Sequence, residues 1–223
     1  MKNARILGLL LLLTVGCQQK DVQPADPVAG TQWYGRFLYT GEPISRVFTL
    51  KFTTVGDFVW YDLSGSYTGK WARTDDIVTI TFDANGIQTT FWLSGNNQLT
   101  NPKNINHAAW TVRELHKLDD TANQSIATSL PKTQWAGRYA LSFDEERAGS
   151  FLMRSGTVIG GRGEYAVSGA VIRATKVQWN TSASVEFFGV FINDKTLLGN
   201  FQWKSVGENK YQAQPNEEFT KKP

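Results

Sequence analysis

A seven-residue segment occurs twice in this chain and divides it. Thr31-Gln32-Trp33-Tyr34-Gly35-Arg36-Phe37 returns as Thr133-Gln134-Trp135-Ala136-Gly137-Arg138-Tyr139, identical at five positions and aromatic in both copies at the last. A repeat that includes tryptophan does not arise readily in unrelated segments, so two homologous units are expected. Residues 31–118 make the first and residues 132–214 the second. Residues 119–131, rich in Asp, Thr, Ser, Asn and Ala, link them, and residues 215–223 read as a polar C-terminal tail. Beyond the opening segment the halves match loosely, each with a glycine inside a strand, Gly69 and Gly199.

Each unit reads as β. Phe48-Thr49-Leu50-Lys51-Phe52 and Val78-Thr79-Ile80-Thr81-Phe82 alternate apolar and polar residues, the period of a half-buried strand. Further strands are expected over 58–63, 67–73, 87–94 and 108–118. In the second unit they are expected over 134–143, 150–154, 164–167, 171–179, 184–193, 196–204 and 210–214. Ala84-Asn85-Gly86 and Gly95-Asn96-Asn97 supply turns. No segment carries a capped 3.6-residue period. The fold class is therefore all-β: two tandem homologous antiparallel meander units, small barrels or sandwiches. Alternation also assigns faces. Trp33, Gly35 and Phe37 point inward, as do Trp135, Gly137 and Tyr139, and a mid-strand glycine either bends the strand or lets a ring lie across it. Thr89, Phe91 and Leu93 share an inner face and leave Trp92 outside. Trp60-Tyr61 and Phe187-Phe188 are adjacent aromatics, so one of each pair points outward, either as a ligand platform or under a second covering layer.

The N-terminus sets an address. Lys2 and Arg5 precede an apolar run, Ile6 to Leu13, followed by Thr14-Val15-Gly16 and then Cys17, the only cysteine. The run is shorter than the roughly 20 residues a spanning helix needs and has the layout of a secretory signal. It resembles a bacterial lipoprotein signal. That resemblance implies removal of residues 1–16 and acylation of Cys17 with palmitate-type chains, which hold the chain on a membrane without spanning it. The alternative is an ordinary signal with an incidental cysteine. Gln18, in place of aspartate, implies the outer membrane, and Lys20-Asp21 resembles the surface-export signal of Bacteroidetes lipoproteins; periplasmic and cell-surface orientations both stay open. Residues 17–30 form the lipidated cysteine and a flexible tether. Loss of Lys2 and Arg5 reduces 23 basic residues to 21 against 20 acids. A nearly neutral chain without a basic run lacks the footprint of a nucleic-acid binder. With one cysteine there is no disulfide, so packing alone must stabilise the fold.

No catalytic constellation emerges, and no catalytic, cofactor-binding or metal-binding residue is assigned. His107 and His116 stand an odd number of residues apart and face opposite sides of one strand, a poor metal pair. Asp75-Asp76 reads as a turn and Asp144-Glu145-Glu146 as a loop. Gly160-Gly161-Arg162-Gly163 lacks the lysine and helix of a phosphate loop and reads as a turn. Asp120-Thr121-Ala122 resembles the O-glycosylation motif of Bacteroidetes secreted proteins, and Asn123-Gln124-Ser125 and Asn180-Thr181-Ser182 fit the N-glycosylation sequon.

The Trp-x-Gly-x-aromatic opening followed by a meander resembles the lipocalin-like domains of bacterial lipoproteins. The resemblance implies a non-enzymatic protein that binds a small apolar or amphipathic ligand. Trp60, Trp71, Phe91 and Trp92 are the candidate contacts. Two other readings remain: a surface module binding glycan or protein through exposed aromatics, and a structural envelope protein. A cavity favours the first, a flat aromatic row the second, and filled barrels with a dry mutual contact the third. The anchor has a direct check. Cys17→Ser is expected to abolish incorporation of labelled palmitate and to release the protein from membranes; unchanged fractionation would exclude lipidation.

Overall fold

A computed structural model of the chain describes residues 26–119, 126–143, 150–155, 158–180, 183–205, 207, 212–215 and 217–223. The first unit is β1 (Gln32–Tyr39), β2 (Ser45–Phe52), β3 (Asp57–Asp62), β4 (Gly65–Thr74), β5 (Ile77–Phe82), β6 (Gln88–Ser94), β7 (Gln98–Asn104) and β8 (Trp110–Lys117). Each strand pairs with the next, and β8 returns to β1, giving a closed antiparallel barrel. The period-2 pattern does the sorting. Phe48, Leu50 and Phe52 of β2, Phe58 and Trp60 of β3, and Thr89, Phe91 and Leu93 of β6 are buried, while Trp92 is 48% exposed.

The second unit follows a single-turn helix, α1 (Ile126–Ser129). It contains β9 (Gln134–Ala136), β10 (Ala140–Phe143), β11 (Ser150–Ser155), β12 (Val158–Ser168), β13 (Val171–Asn180), β14 (Ala183–Phe191), β15 (Thr196–Ser205), β16 (Gln212–Ala213) and β17 (Glu217–Lys221). Strands β9 to β15 with β17 form a second closed ring, sealed by the pairings β14–β15, β15–β17 and β17–β9; β16 lies outside the ring on β15. The architecture is thus two tandem antiparallel meander barrels, as the sequence pattern predicts.

The repeated segment works identically in both. The Trp33 indole N–H donates to Thr31 Oγ1 at 2.7 Å, and the Trp135 indole to Thr133 Oγ1 at 3.0 Å. Each threonine in turn bonds the carbonyl three residues earlier, of Val28 or Leu130, and both of these apolar residues are buried. The backbone repeats as well: Thr31 O accepts from Phe52 N at 2.8 Å, and Thr133 O from Phe143 N at 3.0 Å. The repeated glycine sits where side chains cross it. A Cβ on Gly35 would lie 2.8 Å from Glu114 O and 3.1 Å from the Phe48 ring, and one on Gly137 2.8 Å from the Phe219 ring. The β1–β8 register also slips beside Gly35. Gly69 and Gly199 likewise lie under the rings of Phe58 and Phe187.

The barrels dock side by side. The outer faces of β14 and β15 cover β2, burying Val47, Leu63, Leu118, Phe188, Val190 and Leu198. Beyond Thr49 the β2–β3 ladder stops. Buried Asn200 of the second barrel takes its place: its Oδ1 accepts from Val47 N, and its Nδ2 donates to Ser45 O at 3.4 Å. Arg173 donates to Leu63 O at 3.3 Å.

Several expected boundaries move. Residues 215–223 are not a free tail. Glu217–Lys221 is the closing strand β17, stabilised by one inward residue, Phe219, too sparse a signal for periodicity to reveal. The tether ends earlier than residue 30 and the linker earlier than 131, because Val28, Ile126 and Leu130 fold back into the cores. Gly160–Gly163 belongs to β12 rather than to a turn; at Gly163 a Cβ would lie 2.9 Å from Val177 Cα, so the missing side chain permits close strand packing. The expected strand 134–143 breaks into β9 and β10, which fold on each other as a hairpin with Leu141 opposite Trp135. Strand β7 went unexpected because Pro102 and three asparagines or lysines obscure it and only Leu99 is buried. Asp75-Asp76 is a turn, with Asp75 at φ 53°. The signal, Cys17, Asp120-Thr121-Ala122, Asn123-Gln124-Ser125 and Asp144-Glu145-Glu146 lie outside the described residues.

The Thr–Trp clamp is testable in both copies. Thr31→Val and Thr133→Val each strand a buried indole N–H and are expected to cost about 1–3 kcal/mol, read from urea unfolding. Unchanged midpoints would show that the clamp adds nothing.

Candidate functional site

The two ends of the first barrel differ. At one end Trp33, Val28, Phe52 and Leu115 fill the interior. At the other, where β1, β3 and β5 finish and β4 and β8 begin, a cavity of about 260 Å³ remains. Six aromatic side chains line it: Phe37, Tyr39, Trp60, Tyr67, Phe82 and Trp110. Their rings brace one another. Trp60 stacks on Phe48 at 3.6 Å between centroids and meets Phe37, Phe82 and Trp110 at 5.4, 5.8 and 5.5 Å. Asn85 and Ile87, from the turn after β5, complete the rim.

One carboxylate enters this apolar surround. Asp62 is 4% exposed, on the inner face of β3 with Phe58 and Trp60. Its Oδ2 accepts the Trp60 indole N–H at 3.0 Å, and its Oδ1 accepts the backbone N–H of Ser64 at 2.7 Å and of Gly65 at 3.3 Å. Burial pushes its pKa up, against the opposing pull of those hydrogen bonds and, more weakly, of Arg46. Burial also raises the Tyr39 and Tyr67 hydroxyls, with the Asp62 charge adding to both. Arg46 itself pairs with Glu42 at 2.8 Å and lies over the Tyr39 ring at 4.7 Å.

The four candidate contacts do not form one site. Trp60 lines the cavity. Trp71 stands at the filled end, half-buried against Phe52, with its indole on Thr53 O at 3.2 Å. Phe91 is core, and Trp92 lies on the outer wall opposite Ile77. The row of Trp60 or Tyr61 with Trp92 is absent among the described residues: Trp60 is inside, and Tyr61 borders a groove between the barrels with Lys51 and Arg173. Sequence reasoning missed Asp62, Phe37, Tyr39, Tyr67, Phe82 and Trp110. Asp62 carried a readable signal, since alternation puts an acid on the face of Phe58 and Trp60.

The histidines do not share a strand: His107 precedes β8 and His116 lies on it. His107 packs on Trp110 at 4.5 Å, with Nε2 3.3 Å from Thr89 Oγ1, and burial lowers its pKa. His116 lies beside Tyr34 and Glu114. Among the described residues no group of three or more His, Cys, Asp or Glu could hold a metal ion, and no helix is long and apolar enough to cross a membrane.

Two tandem β-barrels, one with a cavity at its mouth, fit a binding-module fold. No protein-family model matches the chain, and no curated protein matches it. Among solved structures, that of Rv2717c from M. tuberculosis aligns over 91% of this chain and 100% of that one, at 11% identity and a TM-score of 0.20. Likeness at that level carries no argument.

Asp62 gives a pH signature. A raised folded pKa means that the folded state holds the proton more tightly than the unfolded state, so this carboxyl costs stability as pH rises through the ordinary aspartate range to its folded value. The stability difference between wild type and Asp62→Asn is therefore expected to shift toward the variant as pH rises through and beyond the ordinary aspartate value of about 4, measured by urea unfolding. A pH-independent difference would show that burial leaves Asp62 unshifted.

Proposed function

We propose that this protein is a membrane-anchored envelope lipoprotein, without catalysis, whose first barrel holds a small amphipathic ligand in its mouth. The observation that carries the reading is the cavity of about 260 Å³, walled by aromatics and carrying one buried polar group. Apolar walls with a few placed polar atoms are the usual make-up of a small-molecule site. The volume falls just below the roughly 300–1,000 Å³ of drug-sized pockets, which limits the occupant to one ring or a short branched chain. The lipobox-like run ending at Cys17 supports the anchor, and Gln18 supports the outer membrane. Exposed Trp92 beside Ile77, 48% and 41% exposed, supports the second reading, a glycan or protein contact on the outer wall.

The full chain carrying Cys17→Ser separates the two without detergent. Benzyl alcohol is expected to change the tryptophan fluorescence saturably. Ala109→Trp, at an exposed position on the cavity wall, is expected to abolish that change, while Trp92→Ala leaves it intact. No saturable change in the wild type would overturn the cavity reading. Glycan-array binding lost in Trp92→Ala but kept in Ala109→Trp would establish the outer-wall reading instead.

A further inference from the structure

We infer that the mouth of the first barrel selects a small organic cation, a substituted amine or quaternary ammonium, with Asp62 as its counter-ion. This rests on the reading of the mouth as a ligand site and names the ligand's class.

Three features converge on a positive ligand. The walls are six aromatic rings, whose π faces attract cations, most strongly where water is excluded. The acid among them has no cation of its own, since no salt bridge to Asp62 exists among the described residues, and Arg46, the basic group that weakly lowers its pKa, is held by Glu42 at 2.8 Å. Asp62 also has acceptor capacity to spare. An ionised carboxylate offers about four lone-pair sites, and Trp60, Ser64 and Gly65 use three. The fixed donors hold its side chain in place before any ligand arrives, so the ligand need not order it.

The wall also shows the attraction at work: the Arg46 guanidinium lies 4.7 Å from the Tyr39 ring centroid. A neutral ligand would leave Asp62 to take up a proton, which burial already favours. A cation favours the carboxylate and so couples its binding to proton release. The titratable and charged groups around Asp62 are Tyr39 on β1, Arg46 on β2, Tyr67 on β4, and Glu42 beyond Tyr39. Burial holds both tyrosine hydroxyls above their ordinary value of about 10, so they stay neutral through the acid range. Glu42 is ion-paired with Arg46.

Choline and its neutral carbon isostere 3,3-dimethylbutan-1-ol are matched probes, alike in shape and different in charge. Titrated calorimetrically into the full chain carrying Cys17→Ser, choline is expected to bind at least about tenfold tighter than the alcohol. Its affinity is expected to fall as pH drops through the Asp62 titration, while that of the alcohol stays flat. Asp62→Asn is expected to narrow the preference to within about twofold. Because that variant also changes the partner of the Trp60 indole, the pH comparison in the otherwise unaltered chain serves as the independent arm. If both probes bind equally at every pH, the cation inference fails and the cavity reading stands. If choline, the alcohol and benzyl alcohol all fail to bind, the cavity reading falls and takes the inference with it.

Discussion

The indole of Trp33, tied to Thr31 at 2.7 Å and buried in one core with Val28, is the contact on which the first barrel depends. A small barrel has to fill its interior with side chains or leave room for a ligand. A tryptophan at one end, with its N–H satisfied by a residue two positions away, fills that end without stranding a buried donor. Two carbonyls of the same stretch then seat the neighbouring strands, because Thr31 O accepts from Phe52 N and Gln32 O from Leu118 N. One short segment thus plugs the barrel and joins its first strand to β2 on one side and to the end of β8 on the other. The second copy repeats each bond, with Lys222 N on Gln134 O. That explains why these few residues stayed alike while the rest of the two halves diverged.

The second constraint is the surface between the barrels. A barrel wall normally alternates apolar inside and polar outside, yet β14 is buried on both faces, with Phe187 inward and Phe188 against the first barrel. Fully burying a phenylalanine, valine or leucine contributes about 1.5–3 kcal/mol. Phe188, Val190 and Leu198 against Val47 therefore make a strong contact even after allowance for a compact unfolded chain. Asn200 adds specificity. Its amide imitates a strand's backbone at the point where β2 loses β3 as a partner, so the wall of the first barrel is completed by a side chain of the second.

Much of this was legible because strand faces follow a period of two. The inward set of Thr89, Phe91 and Leu93, the outward Trp92 and the inward Trp33 follow from alternation alone. Phe187-Phe188 left a ligand platform and a covered strand both open, and the structure buries one ring in each of two cores. The sequence was silent where one residue does the work of a segment: Val28, Leu130 and Phe219 are single apolar residues in polar surroundings, and no periodicity can be read from one residue. The cavity was hidden for a different reason. Its walls come from strand ends far apart in sequence, and only closure of the meander brings Phe37, Trp60, Phe82 and Trp110 together. Trp71 and Phe91 are aromatics directed at the core, and direction alone does not distinguish the plugged end from the open one.

That polarity of the barrel bears on how an anchored protein would meet its ligand. Strand β1 enters at the plugged end and leaves at the mouth, about 25 Å further along at roughly 3.3 Å per residue. The chain arrives at the plugged end, where Asp26 pairs with Arg73 at 2.7 Å. With the lipid anchor proposed at Cys17, the membrane tie joins the barrel from the plugged side, and the mouth lies at the far end of the strand. An amphipathic site facing the bilayer would compete with lipid, whereas one held away from it samples solutes in the surrounding aqueous phase. A small cavity with a single buried acid suits that position better than a lipid-sized barrel would. An acyl chain needs length, which the side chains packed around Trp33 remove. A compact charged solute needs only the mouth.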